Sequence, residues 1–222
     1  MVASGLISAK QMKYGIIMTA FVTLSIAVNL IYVAFGWEDF FNSLLFLVLG
    51  IISIVAALKY TIGKNAYGYS GLGDVFVFLF FGLLSVLGSN YLFTHELKWD
   101  LLLPASSIGL FSMAVLNLNN MRDIENDRVA GKNTLVVKLG ALNAKKYHYV
   151  LIVSSVTIMF VFSLLTKTSI LPIVVISVAL IKHILVVKKA NQYEDFDPEL
   201  KKVALSTFAL SILFWLTLVF LS

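Results

Sequence analysis

Seven long apolar stretches divide the chain, from about Tyr14 to Phe35, Phe41 to Leu58, Val75 to Phe93, Leu101 to Leu118, Tyr149 to Leu165, Ile170 to Val187 and Val203 to Leu221. Each approaches the roughly 20 residues that a helix needs to cross a hydrocarbon core about 30 Å thick. Inside lipid a segment must satisfy its own backbone hydrogen bonds, which leaves helices or closed barrels. The lengths favour helices, so the expected fold is all-α: a multi-span transmembrane helical bundle of seven helices, with residues 1–222 forming one integral membrane domain. Composition agrees, with 59% apolar and only 13% charged residues where a soluble domain carries about 25% charged. A soluble enzyme, a nucleic-acid binder and a disordered tail are thereby excluded, and the lipid bilayer is the expected surrounding. The chain has no Cys, so disulfides and thiolate metal sites are excluded as well.

Pro104, Pro172 and Pro198 fall where first helical turns accept them, because those N–H groups have no intrahelical partner. Asp197 is then an expected N-cap for the seventh helix. Gly82, Ser85, Gly88 and Ser89 give the third helix a small-residue face suited to close packing. Of 17 Lys and Arg residues, all but Lys98 and Lys167 lie before the first stretch or around the second-to-third, fourth-to-fifth and sixth-to-seventh connections. The positive-inside rule places the N-terminus and those connections in the cytoplasm and Ser222 outside. The formal net charge of +5 is read as topology rather than as a nucleic-acid footprint. Met1-Val-Ala-Ser-Gly-Leu has no charged n-region, so insertion is expected to rely on the first helix.

The fourth-to-fifth connection carries the most informative chemistry: Asn117-Leu-Asn119-Asn120-Met-Arg122-Asp123-Ile-Glu-Asn-Asp127-Arg128-Val-Ala-Gly131-Lys132. If the fourth helix continues past the bilayer, Asn119, Asp123 and Asp127 fall at i, i+4 and i+8, with Asn120 about 100° away. Two carboxylates at i, i+4 repel each other by roughly 0.2–0.5 kcal/mol on an exposed helix, so a cation between them makes sense of the stripe. Oxygen ligands without Cys or a nearby His favour Mg²⁺, which keeps several waters and is bound through one or two carboxylates plus substrate phosphate. Arg128 and Lys132 add positive charge close by, and Gly131 is placed to end the helix. The bland alternative is a pair of solvated anchors, with Asp123 or Asp127 simply paired to Arg122 or Arg128.

The string N-N-x-R-D-x-x-x-D-R-x-x-G-K-x-T-L, from Asn119 to Leu135, resembles the second aspartate-rich motif of the intramembrane aromatic prenyltransferases, the UbiA superfamily. Tyr60-Thr-Ile-Gly-Lys64, Tyr67-Gly-Tyr69-Ser-Gly-Leu-Gly-Asp74 and Val75-Phe-Val-Phe-Leu-Phe-Phe-Gly82 are similar to the loop and helix of its 1,4-dihydroxy-2-naphthoate prenyltransferase branch, which serves menaquinone synthesis. Ala3 to Met12 resembles the segment entering that family's third helix. The resemblance covers essentially the whole chain, and it implies nine helices with a first Asp-rich motif between the second and third. The seven stretches correspond to helices three to nine, and no first motif is present. The chain therefore reads as a fragment, a mis-set start or half of a split gene, the last case putting the two missing helices on another chain. Alone it is expected to be inactive, or to be a lipid-binding remnant of the family.

The resemblance implies transfer of a polyprenyl group from polyprenyl diphosphate to 1,4-dihydroxy-2-naphthoate, with loss of the ring carboxylate, giving demethylmenaquinone in a bacterial inner membrane. Asp123 and Asp127 would hold Mg²⁺ on the diphosphate, supported by Asn119 and Asn120. Arg122, Arg128, Lys132 and Lys64 would neutralise the same head group. Tyr67, Tyr69 and the third-helix aromatics Phe76, Phe78, Phe80, Phe81, Tyr91 and Phe93 would line a dry site tolerant of positive charge, although Phe facing lipid and interfacial Tyr explain each one as well. Tyr60 and Lys64 resemble the superfamily's Y-x-x-x-K element, with an interface Tyr beside a snorkelling Lys as the alternative. Asp74 is divided evenly between a helix cap and a catalytic carboxylate. His95, His148 and His183 do not cluster in sequence, so no histidine metal site is expected. The acidic run from Glu194 to Glu199 reads as a solvated loop, and the near absence of ionisable residues within the spans argues against a transporter.

Overall fold

The computed structural model describes residues 5–63 and 66–220. Among these the chain is helix and connection, with no strand: α1 (Ala9–Phe35), α2 (Phe40–Thr61), α3 (Gly73–Val77), a π-helical segment (Phe78–Leu84), α4 (Ser85–Thr94), α5 (Leu102–Arg122), α6 (Ile124–Val129), α7 (Leu135–Thr166), α8 (Leu171–Lys189) and α9 (Phe196–Phe220). The segment from α3 to α4 is one continuous rod, and seven rods are long and apolar enough to cross a bilayer. They match the seven expected stretches one for one. The protein is an all-α, multi-pass membrane protein.

Several rods start earlier than hydropathy alone places them, and polar caps explain two of the starts. Ser8 and Gln11 form a reciprocal capping box that begins α1 at Ala9. The Thr134 hydroxyl accepts from the Val137 amide at 3.3 Å and begins α7 at Leu135. The helix is then broken by Gly140, at φ 74° and ψ 161°, a conformation that a side chain would resist.

The chain divides into two compact units, Met1–Lys59 and Tyr60–Ser222. In the first, α1 and the bulk of α2 expose large apolar side chains along their length, among them Ile17, Phe21, Ile26, Leu44, Ile51 and Val55. Lipid is the natural partner for such surfaces. Their few hydroxyls are satisfied within the helices: Thr19, Thr23, Ser25 and Ser53 each donate to the carbonyl four residues back.

The second unit is built around α5, which packs on α7, α9 and the π segment, while α8 packs on α9. Its core runs through Phe111, Ala114 and Leu118 of α5, Leu151 and Ile152 of α7, Leu180 of α8 and Val203 of α9. Ser107 and Ser155 lock α5 to α7 by donating to one another's backbone carbonyls at 2.9 and 2.6 Å. The small-residue expectation for the third rod is met at Gly82. A Cβ there would stand 2.6 Å from the Gly109 Cα, so two backbones touch at this crossing.

Two sequence expectations give way here. Asp197 is not an N-cap: it lies in the first turn of α9, and its carboxylate accepts from Arg122 at 2.7 Å, 75 residues away. The acidic run is solvated at Glu194, Asp195 and Asp197 but is a short turn leading into α9 rather than a loop throughout. Asp195 accepts from the Asn191 and Gln192 amides at 3.0 and 3.1 Å, and Glu199 is only 1% exposed. Two histidines distant in sequence also meet. His148 of α7 and His183 of α8 meet Nε2 to Nε2 at 2.7 Å, and His183 Nδ1 lies 2.6 Å from Glu199, which Lys202 also contacts. Separation in sequence hid this chain because antiparallel helices bring distant turns to one level. His95 is not part of it.

Candidate active site

The second unit contains Tyr60 at the end of α2, Asp74 at the start of α3, Asp127 in α6, Lys132 just after it, and Tyr147 within α7 beyond the Gly140 break. The acidic segment does not continue α5 as one straight stripe. At Asp123 the backbone leaves helical geometry (φ −96°, ψ 7°), and α6 restarts at Ile124. The Asp127 amide still donates to the Asp123 carbonyl at 2.8 Å, so the two carboxylate-bearing residues stay one turn apart. After α6, the Gly131 amide donates to the Arg128 carbonyl and the Lys132 amide to the Asp127 carbonyl, at 3.1 and 2.8 Å. With Gly131 at φ 70° this is a Schellman ending. It folds Lys132 back so that Nζ reaches Asp127 Oδ1 at 2.7 Å.

The two aspartates differ in setting. Asp127 has a side chain only 6% exposed, whereas Asp123 is one-third exposed and held by Arg122 through two bonds of 2.9 Å. Arg122 also donates to Asn119 Oδ1 at 2.8 Å and to Asp197, tying the end of α5 to the start of α9. The hydrogen bond to Asp127 holds the Lys132 ammonium above the ordinary lysine pKa, so it stays charged through the neutral range. Lys132 also stands 5.2 Å over the Tyr69 ring. Arg128 is placed elsewhere, paired with Glu125 at 3.0 Å on an exposed surface of α6. Asn120 is buried.

The turn from Tyr67 to Asp74 is pinned against this loop by the Asn133 amide on the Tyr69 carbonyl (2.8 Å) and by Lys138 on the Ser70 carbonyl (2.7 Å). Its glycines are needed for contact. A Cβ on Gly68 would lie 2.5 Å from the Tyr60 carbonyl oxygen, and one on Gly73 would press on the Tyr60 ring and Leu116. Tyr60 meets Tyr67 edge-on at 5.4 Å, Tyr67 stacks on Phe76 at 3.9 Å, and Phe76 lies 6.0 Å from Phe80. Burial pushes the Tyr67 hydroxyl to a higher pKa than a free tyrosine. Phe81 and Phe93 lie on exposed surface, away from this aromatic row.

Asp74 is not the N-cap of α3: Leu72 holds that position and Asp74 lies in the first turn. It is 5% exposed and accepts from the Tyr147 hydroxyl at 3.1 Å. Asp74, Lys132 and Asp127 all lie close enough to act electrostatically on Tyr60, and Asp123 and Tyr69 on Lys132. Of the expected site residues, Tyr60, Tyr67, Tyr69, Asp74, Asp123, Asp127 and Lys132 are thus neighbours, with Asn119 joined through Arg122. Lys64 lies outside the described residues. Tyr147 was missed in sequence, where the only signal was the polar start of a helix whose apolar part begins at Tyr149.

Comparison with known proteins gives one answer. The UbiA prenyltransferase family model matches residues 1–208. A 1,4-dihydroxy-2-naphthoate octaprenyltransferase of Haemophilus influenzae is 40% identical over 222 residues, covering 98% of this chain and 70% of the relative. The enzyme of the same name from Escherichia coli is 47% identical over 165 residues, 74% of this chain and 53% of the relative. A Mycobacterium tuberculosis protein of that name is 37% identical over 134 residues, 60% of this chain and 46% of the relative. The matched region is therefore about half to two-thirds of these relatives' length. No solved structure matches significantly. With the aspartate-rich loop, the glycine-rich turn and the family model in agreement, the chain belongs to the UbiA prenyltransferase family.

Proposed function

We propose that this protein transfers a polyprenyl group from a polyprenyl diphosphate to 1,4-dihydroxy-2-naphthoate with loss of the ring carboxylate, the N-terminus and the site loops facing the cytoplasm of a bacterial inner membrane. The observation that carries this reading is the placement of Asp127, Asp123 and Lys132 beside the Tyr60–Tyr67–Phe76 row within one helical unit. Among the described residues no three His, Cys, Asp or Glu side chains converge as a metal cage. Two carboxylates with amide oxygens fit instead the protein's share of a Mg²⁺ site that is completed by waters and a substrate phosphate. When bound there, the ion supplies charge stabilisation to the diphosphate oxygens as the allylic C–O bond breaks.

The chain's own residues do the rest. Asp123 and Asp127 would hold the ion, with Asn119 and Asn120 as supporting oxygen donors. Lys132, charged and already at Asp127, neutralises the diphosphate beside it. Arg122 fixes the rotamers of Asp123 and Asn119. The aromatic row of Tyr60, Tyr67 and Phe76 excludes water and offers ring faces to allylic positive charge. Asp74 stands at the end of the site occupied by the aromatic acceptor.

The test is equilibrium binding of farnesyl diphosphate to the full chain in lipid nanodiscs, with and without Mg²⁺. Binding should require Mg²⁺ and be displaced by pyrophosphate. Tight binding indifferent to Mg²⁺, or none at all, contradicts the reading.

A further inference from the structure

Adjacent residues of α7 serve two clusters that the sequence does not connect. Tyr147 points its hydroxyl at Asp74 Oδ1 (3.1 Å), across 73 residues of sequence. His148, the next residue, is fully buried and meets His183 at 2.7 Å, and His183 reaches Glu199 at 2.6 Å. A helix advances about 100° per residue, so the rotation that brings His148 to His183 of α8 also sets the direction of Tyr147. The Lys202 contact to Glu199 anchors the far end of the chain.

Asp74 is a buried carboxylate that receives one side-chain hydrogen bond, from a neutral phenol. A carboxylate is acceptor-only with room for several donors. Resting on the prenyl-transfer reading above, we infer that Tyr147 is a positioning residue: it fixes the Asp74 carboxylate so that its remaining acceptor capacity receives a hydroxyl of the aromatic acceptor. The charges sort the ligand's two ends. Asp74 repels an anionic group and accepts an O–H, whereas Lys132, held at Asp127, favours anions. The acceptor is therefore a hydroxylated aromatic ring bound hydroxyl-first at Asp74.

The experiment pairs two proteins with two ligands. Wild-type full chain and Tyr147→Phe, in nanodiscs under anaerobic conditions, are titrated with 1,4-dihydroxy-2-naphthoate and with its dimethyl ether, followed by ligand fluorescence; thermal unfolding of both proteins is recorded alongside. Loss of one neutral hydrogen-bonding hydroxyl should weaken the dihydroxy ligand by about fivefold and leave the ether nearly unchanged, with the unfolding midpoint lowered by the loss of the phenol from the buried Asp74. Asp74→Asn should erase the preference for the dihydroxy ligand. If Tyr147→Phe keeps the wild-type preference, or weakens both ligands alike, Tyr147 does not act through Asp74 on the hydroxyl and the inference is overturned. If wild type binds farnesyl diphosphate but neither naphthoate, the choice of aromatic acceptor fails and takes this inference with it. If it binds neither class, the prenyl-transfer reading itself fails.

Discussion

Two polar clusters in the second unit both pair acids with nitrogen bases, to opposite ends. In the aspartate loop, Asp123 and Asp127 are held by Arg122 and Lys132, whose side chains are both 31% exposed. In the α7–α8–α9 chain, His148, His183 and Glu199 are at most 1% exposed and joined His148 to His183 to Glu199, and only Lys202 at the far end of that chain, 53% exposed, reaches water. Partners that reach water can be exchanged for a ligand at modest cost, whereas a buried charge stripped of its partner has nowhere to turn. The first cluster is built to open and the second to stay closed. Polarity in a membrane helix is thus informative about ligands only together with the exposure of its partners.

That contrast breaks if the closed cluster proves dispensable. Glu199→Ala would leave the buried His183 facing an unfilled space without its partner and should cost about 1–3 kcal/mol, read as a lowered unfolding midpoint in nanodiscs, while the folded fraction keeps its farnesyl diphosphate affinity. Gly109→Val is the apolar counterpart. A Cβ at Gly109 already stands 2.7 Å from the Phe78 ring, so overpacking should destabilise by about 1–3 kcal/mol with diphosphate binding again preserved. In the open cluster the signature reverses. Lys132→Gln should weaken Mg²⁺-dependent farnesyl diphosphate binding by about tenfold, the scale of one charged hydrogen bond, with little change in the midpoint. Arg128→Gln sharpens the point. Its guanidinium is turned to Glu125 on an exposed surface, where ion pairs contribute little, and affinity should change by less than about twofold.

What the sequence made legible was local. The seven rods follow from hydropathy, and the Schellman turn that brings Lys132 to Asp127 follows from Gly131 placed after α6. Tyr60 near Tyr67 was within reach because only six residues separate them in sequence. Contacts that depend on helix packing were not legible. The His148–His183 meeting spans 35 residues and Tyr147–Asp74 spans 73, and neither leaves a periodic trace. Asp123 was read as the middle of a straight stripe, and the break there became visible only with the φ and ψ angles that turn Asp123 toward Arg122. Arg128, adjacent to Asp127 in sequence, is carried by α6 to Glu125 instead.

The central claim is that Asp123 and Asp127 bind a divalent ion together with an isoprenoid diphosphate. Mn²⁺ titration followed by electron paramagnetic resonance, on the full chain with and without farnesyl diphosphate, tests it most directly. The account predicts diphosphate-dependent Mn²⁺ binding that weakens by more than about a hundredfold in Asp127→Asn and in Asp123→Asn, with both variants unfolding near the wild-type midpoint. Mn²⁺ binding that is unchanged in both variants would contradict it.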